Sequence, residues 1–104
     1  MNTEEFLRLI EKQPLCPQTL PEGLQAMWYD KKGDWSKAHE ILGNASDADS
    51  AWVHAYLHRK EGDLENAHYW YRRSGQPEFR GELSQEWEQI TSVLLRKVNV
   101  THEC

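Results

Sequence analysis

Residues 26–42 read AMWYDKKGDWSKAHEIL, and residues 55–71 read AYLHRKEGDLENAHYWY. Superposed at an offset of 29, they agree at Ala26/Ala55, Lys31/Lys60, Gly33/Gly62, Asp34/Asp63, Ala38/Ala67 and His39/His68. Self-similarity at a fixed period of this size is the mark of stacked helical hairpins. The Gly-Asp pairs supply the punctuation. Glycine suits the left-handed residue that ends one helix, and aspartate suits the N-cap of the next. The four repeated alanines are small enough to let two antiparallel helices approach closely.

Working outward, a helix from about Pro21 to Lys32 precedes the first Gly-Asp junction, and Asp34 opens a second that runs to about Leu42. GNASDADS is a polar loop whose Asp49 or Ser50 can cap a helix over about 50–61. Gly62-Asp63 then launches a helix to about Ser74, and GQPEFRG breaks the chain again. Thr3 can cap a first helix with Phe6, Leu7, Leu9 and Ile10 on its apolar face, ending before Pro14. QPLCPQTLPEG reads as an extended connector. A last helix over about 82–97 places Leu83, Trp87, Ile90 and Leu94 on one stripe, and VNVTHEC reads as a frayed tail. No segment sustains the period of two that a strand needs.

The Gly-Asp-aromatic junction, followed by a Lys/Asn-Ala pair, resembles the tetratricopeptide family. Its features stand here as Gly33-Asp34-Trp35, Lys37-Ala38 and Leu42, and again as Gly62-Asp63-Leu64, Asn66-Ala67 and Tyr71. The offset is 29 residues, against about 34 in that family, and His58 stands where Tyr29 supplies an aromatic in the first copy. The resemblance implies an all-α, right-handed stack of about six helices in antiparallel hairpins. It would form one domain over 1–104, with hairpins at about 21–43 and 50–74 and capping helices at about 3–13 and 82–97. The stretch AWVHAYLHR with its GD and YWYRR also resembles one carried by small bacterial proteins, a likeness that implies no activity.

Twelve Lys and Arg against seventeen Asp and Glu give the chain of 104 residues a net charge of −5. That balance argues against nucleic acid and anionic membranes as partners. No apolar run approaches the roughly 20 residues of a membrane span. The acidic, amphipathic start lacks the basic and apolar blocks of a secretory signal. Cys16 and Cys104 form no framework and belong to no CxxC pair, so the expectation is a reduced cytoplasmic protein. No glycine-rich phosphate loop and no nucleophile elbow is present.

Two constellations carry functional expectations. His54 and His58 stand four apart, on one face of one helix, a spacing compatible with a divalent metal. The run reads H-A-Y-L-H, without the Glu of a zinc-protease helix. In tetratricopeptide stacking His39 would face the helix that carries both, so three imidazoles could converge, with Glu61 or Glu40 completing a site. The plainer alternative is that these histidines pack and hydrogen-bond within an aromatic interface. An acid–base or metal-dependent enzyme built on His39, His54 and His58 is the alternative functional reading.

The first reading is a protein- or peptide-binding module. Trp52, Tyr56 and Arg59 step along one face of a helix, and the family's concave groove would bring Met27, Asp30 and Lys31 beside them. Aromatic and Arg anchors suit an interface, although Trp52 and Tyr56 buried under a flanking helix is an equally simple account. Exposed aromatics leave homodimerisation open. Trp70-Tyr71-Arg72-Arg73, with Arg80, pairs aromatics with cations as single-strand binders do. Arginines in a last helical turn are explained as simply by the helix dipole.

Overall fold

The computed structural model describes residues 1–103, with side chains through Val98. Six helices account for it, and no strand occurs among the described residues: α1 (Thr3–Lys12), α2 (Glu22–Lys31), α3 (Trp35–Leu42), α4 (Ala48–Lys60), α5 (Leu64–Ser74) and α6 (Leu83–Glu103). The radius of gyration, 12.9 Å, is that of a folded domain of this length.

The repeated Gly-Asp pairs behave alike. Gly33 and Gly62 sit at φ 89° and 82°, conformations that cost a residue with a Cβ. Asp34 and Asp63 each cap the following helix, accepting from the backbone N–H of Lys37 and Asn66. Their own N–H groups donate back to Tyr29 O and His58 O, at 2.9 Å in both copies. Ala26, Ala38, Ala55 and Ala67 are buried, so α2 packs on α3 and α4 on α5 at close range.

Caps elsewhere differ from the expected ones by one to three residues. Asn2, not Thr3, opens α1, in a reciprocal capping box with Glu5. Asp47, rather than Asp49 or Ser50, opens α4 because its carboxylate accepts from both the N–H and the hydroxyl of Ser50. Pro21 is the N-cap of α2 and not its first helical residue. The segment read as a frayed tail continues α6 to Glu103, while Cys104 lies outside the described residues.

One buried cluster draws on all six helices, including Phe6, Trp28, Leu42, Val53, Leu57, Tyr71, Trp87 and Ile90. Phe6 meets Trp28 edge-on at 5.8 Å and stacks on Trp87 at 6.2 Å. The predicted stripe of α6 packs across α2 and α4, and α1 packs against α6.

Candidate functional site

Two local rules bring the histidines together. The i, i+4 spacing sets His54 and His58 one turn apart on α4, with ring centroids 5.9 Å apart and planes within 7°. His39 enters from α3, edge-on to both, at 5.0 Å from His54 and 5.3 Å from His58. Trp35 fixes that approach: its indole N–H donates to Leu57 O of α4 at 2.9 Å, and its ring lies parallel to His39 at 5.0 Å. On the far side Trp70 of α5 stacks on His54 at 4.0 Å. Three imidazoles therefore sit between two indoles.

One ring nitrogen from each histidine lies within 4.8 Å of the others. The Nδ1 atoms of His54 and His58 are buried and find no hydrogen-bond partner within the protein. Leaving a buried polar atom unsatisfied costs about 1–3 kcal/mol, so these atoms call for an explanation. Burial holds the His54 imidazole neutral, its pKa lowered to about 4, with His39, His58 and Arg73 adding repulsion. His58 is lowered too, by burial and then by His39, against the opposing pull of Asp63 and Glu61. Neutral imidazole is the ligating form.

The fit to a metal can be judged from distances. A tetrahedral ion held at about 2.0–2.1 Å by each nitrogen needs them about 3.3 Å apart. Spacings of up to 4.8 Å exceed that by about 1.5 Å, so the rings would have to turn inward to close on an ion. The set is all imidazole, which suits zinc, copper or nickel rather than magnesium or calcium. Among the described residues the converging ligand-type side chains are the three histidines alone. Glu61 and Glu40, expected as completing carboxylates, are exposed and stand outside the set. The carboxylate that does approach is Asp63, whose Oδ2 lies 3.7 Å from His58 Nδ1.

The expected peptide groove requires correction. Trp52, Tyr56, Met27 and Asp30 are buried. Trp87 of α6 donates its indole N–H to Met27 O, and Arg59 pairs with Glu86 of α6 at 2.9 Å. Asp30 accepts from Tyr56 Oη at 2.7 Å and from Lys60 Nζ at 2.8 Å, so its charge is satisfied internally. The reason is hydrophobic: the apolar stripe of α6 needs cover, and the face of α2 and α4 provides it. What stays open there is a depression of about 360 Å³ beside Lys31, Lys60 and Ser84. Lys31 lies over the Trp87 ring at 5.1 Å.

Of the aromatic-cation set, Arg73 lies over Trp70 at 5.0 Å and Tyr69 at 5.8 Å, while Arg72 and Arg80 are exposed. His68, the repeat mate of His39, pairs with Glu78 instead of joining the cluster. Sequence reasoning missed Trp70, Asp63 and Glu86. It also left Trp35 out of the site, although Trp35 stands four residues before His39 on one helix. Glu86 is a buried carboxylate that accepts from Arg59 and from the Tyr71 hydroxyl. Burial raises its pKa, against the lowering effect of those two partners.

Compared with known protein families, with curated proteins and with solved structures, the chain matches none.

Proposed function

We propose that this chain is a metal-binding helical protein that holds one divalent ion of the zinc class through His39, His54 and His58. The observation that carries the reading is the approach of three ring nitrogens to within 4.8 Å of one another. The partnerless, buried Nδ1 of His54 supports it, since a buried polar atom calls for a partner. Such an ion ties α3 to α4 across the boundary between the two hairpins. Three protein nitrogens leave one tetrahedral position for water or a substrate donor, the ligand count of Lewis-acid sites rather than of closed structural ones.

The duplicated Gly-Asp geometry and the pairing of α2 with α3 and of α4 with α5 support a tetratricopeptide-like pair of hairpins, with α6 laid across α2 and α4 and α1 packed on α6. In that arrangement α6 lies where a partner's peptide would bind. The peptide-binding reading therefore loses the surface that motivated it, and metal binding takes its place.

The test is equilibrium dialysis of untagged protein against Zn²⁺, compared with the His39→Ala, His54→Ala, His58→Ala triple variant. One ion per wild-type chain and none per variant chain is expected. Equal retention by both defeats the proposal.

A further inference from the structure

We infer that Asp63 is a positioning residue for this site, holding His58 through Nδ1 so that Nε2 is the nitrogen offered to the ion. The inference rests on the metal-binding reading above and deepens it.

The two copies of the repeat serve as each other's control. Both turns close the same way, with glycine at positive φ and the aspartate N–H returning to the carbonyl five residues back. The turn thus ties the capping aspartate to the same earlier position in each copy, and in the second copy the two side chains approach to 3.7 Å. In the first copy the pair is Asp34 and Tyr29; in the second it is Asp63 and His58. Helix capping needs only the aspartate, so the histidine is not explained by the turn.

The second copy also carries an orienting group. Asn66 donates its side-chain amide to Asp63 Oδ2 at 2.7 Å, and that same oxygen faces His58 Nδ1 at 3.7 Å. Lys37 stands at the matching place in the first copy and is not a comparable short amide donor. His58 Nδ1 is buried and has no partner at hydrogen-bond distance. Ligation through Nε2 fixes the proton on Nδ1, and a ring shift of under about 1 Å then makes the Nδ1–H···Oδ2 bond. A carboxylate behind a ligating imidazole sets its tautomer and orientation and raises its basicity. Gly62, which sets the turn, therefore links metal affinity to the α4–α5 junction.

The experiment measures Zn²⁺ affinity by competition with a chromophoric chelator for wild type, Asp63→Asn and Asp34→Asn. Asparagine caps a helix as well as aspartate does, so the metal-free melting temperature should stay at the wild-type value. Affinity should fall about 10–100-fold for Asp63→Asn and be unchanged for Asp34→Asn. In a His58→Ala background the Asp63→Asn effect should vanish, which a purely structural role would not produce. If wild type takes up no Zn²⁺, the reading of the site fails. If wild type binds and Asp63→Asn binds equally tightly, this inference fails and the site reading stands. An equal loss in Asp34→Asn, or a persisting effect without His58, also overturns it.

Discussion

The imidazole of His54 lies flat against the indole of Trp70, with centroids 4.0 Å apart and planes within 11°. This contact joins α4 to α5 and covers one face of a histidine that is only 4% exposed. A parallel stack at this distance gains dispersion and excludes water from the ring. It also places an intrinsic fluorophore against a candidate ligand. Trp35 has the same relationship to His39.

Both indoles should therefore report on the cluster. Titrating Cu²⁺ or Ni²⁺ should quench tryptophan emission in a saturable way, and adding EDTA should restore it. In a Trp35→Phe, Trp70→Phe variant the three remaining tryptophans should show little change. Quenching of the same depth in that variant would place the ion elsewhere.

Acid should destabilise the metal-free protein in a defined window. The ordinary histidine pKa is near 6.5, and that of His54 is lowered to about 4 in the folded state. The unfolded chain thus takes up this proton first, and stability falls as the pH drops from about 6.5 toward 4. The slope reaches about 1.4 kcal/mol per pH unit for one proton, for a loss of roughly 3 kcal/mol. Beyond burial, the charges of His39, His58 and Arg73 oppose its protonation. Asp47 acts in a lower window: its bonds to Ser50 outweigh burial and lower its pKa, so its contribution is lost below about 4. Urea unfolding at intervals from pH 7 to 4.5 should show the decline, and His54→Phe should flatten it. An unaltered slope in that variant would assign the acid sensitivity to other groups.

Removing Arg59 should be costly. Glu86, whose side chain is 1% exposed, would be left buried with only the Tyr71 hydroxyl. Breaking one side of such a pair costs about 3–5 kcal/mol, while replacing both partners by apolar residues is near neutral. Arg59→Ala should lose that amount in chemical denaturation, and an Arg59→Met, Glu86→Leu, Tyr71→Phe variant, which strands no buried partner, should recover most of it. A loss below about 1 kcal/mol for Arg59→Ala would show that the pair is solvated.

The two repeat glycines should behave alike. A Cβ at Gly33 or Gly62 would meet nothing within 4 Å, so substitution carries only the cost of the left-handed backbone. Alanine at either position should cost about 1–2 kcal/mol. Unequal losses would show that the two junctions are not energetic equivalents.

The Gly-Asp punctuation was legible because glycine and aspartate act locally, through their own backbone and the next three residues. For the same reason the approach of His39 to His54 and His58 could be expected once the hairpins were placed. Asn2 and Asp47 were missed as caps because several polar residues compete at each start, and hydrogen-bond geometry selects among them. The groove failed for a different reason. The stripe Leu83, Trp87, Ile90 and Leu94 showed that α6 must bury a face, but a stripe does not name the surface that receives it. That surface carried Trp52, Tyr56 and Met27, and what read as anchors for a partner became core. Trp70 and Glu86 depend on the packing of α5 and α6, which no local spacing reveals.

The central claim is that three imidazoles bind one ion, and X-ray absorption of the Zn²⁺-loaded protein tests it most directly. The account predicts a first shell at about 2.0 Å made only of nitrogen or oxygen, with multiple-scattering features of three imidazoles. A sulfur shell near 2.3 Å, or the signature of fewer than three imidazoles, would contradict it.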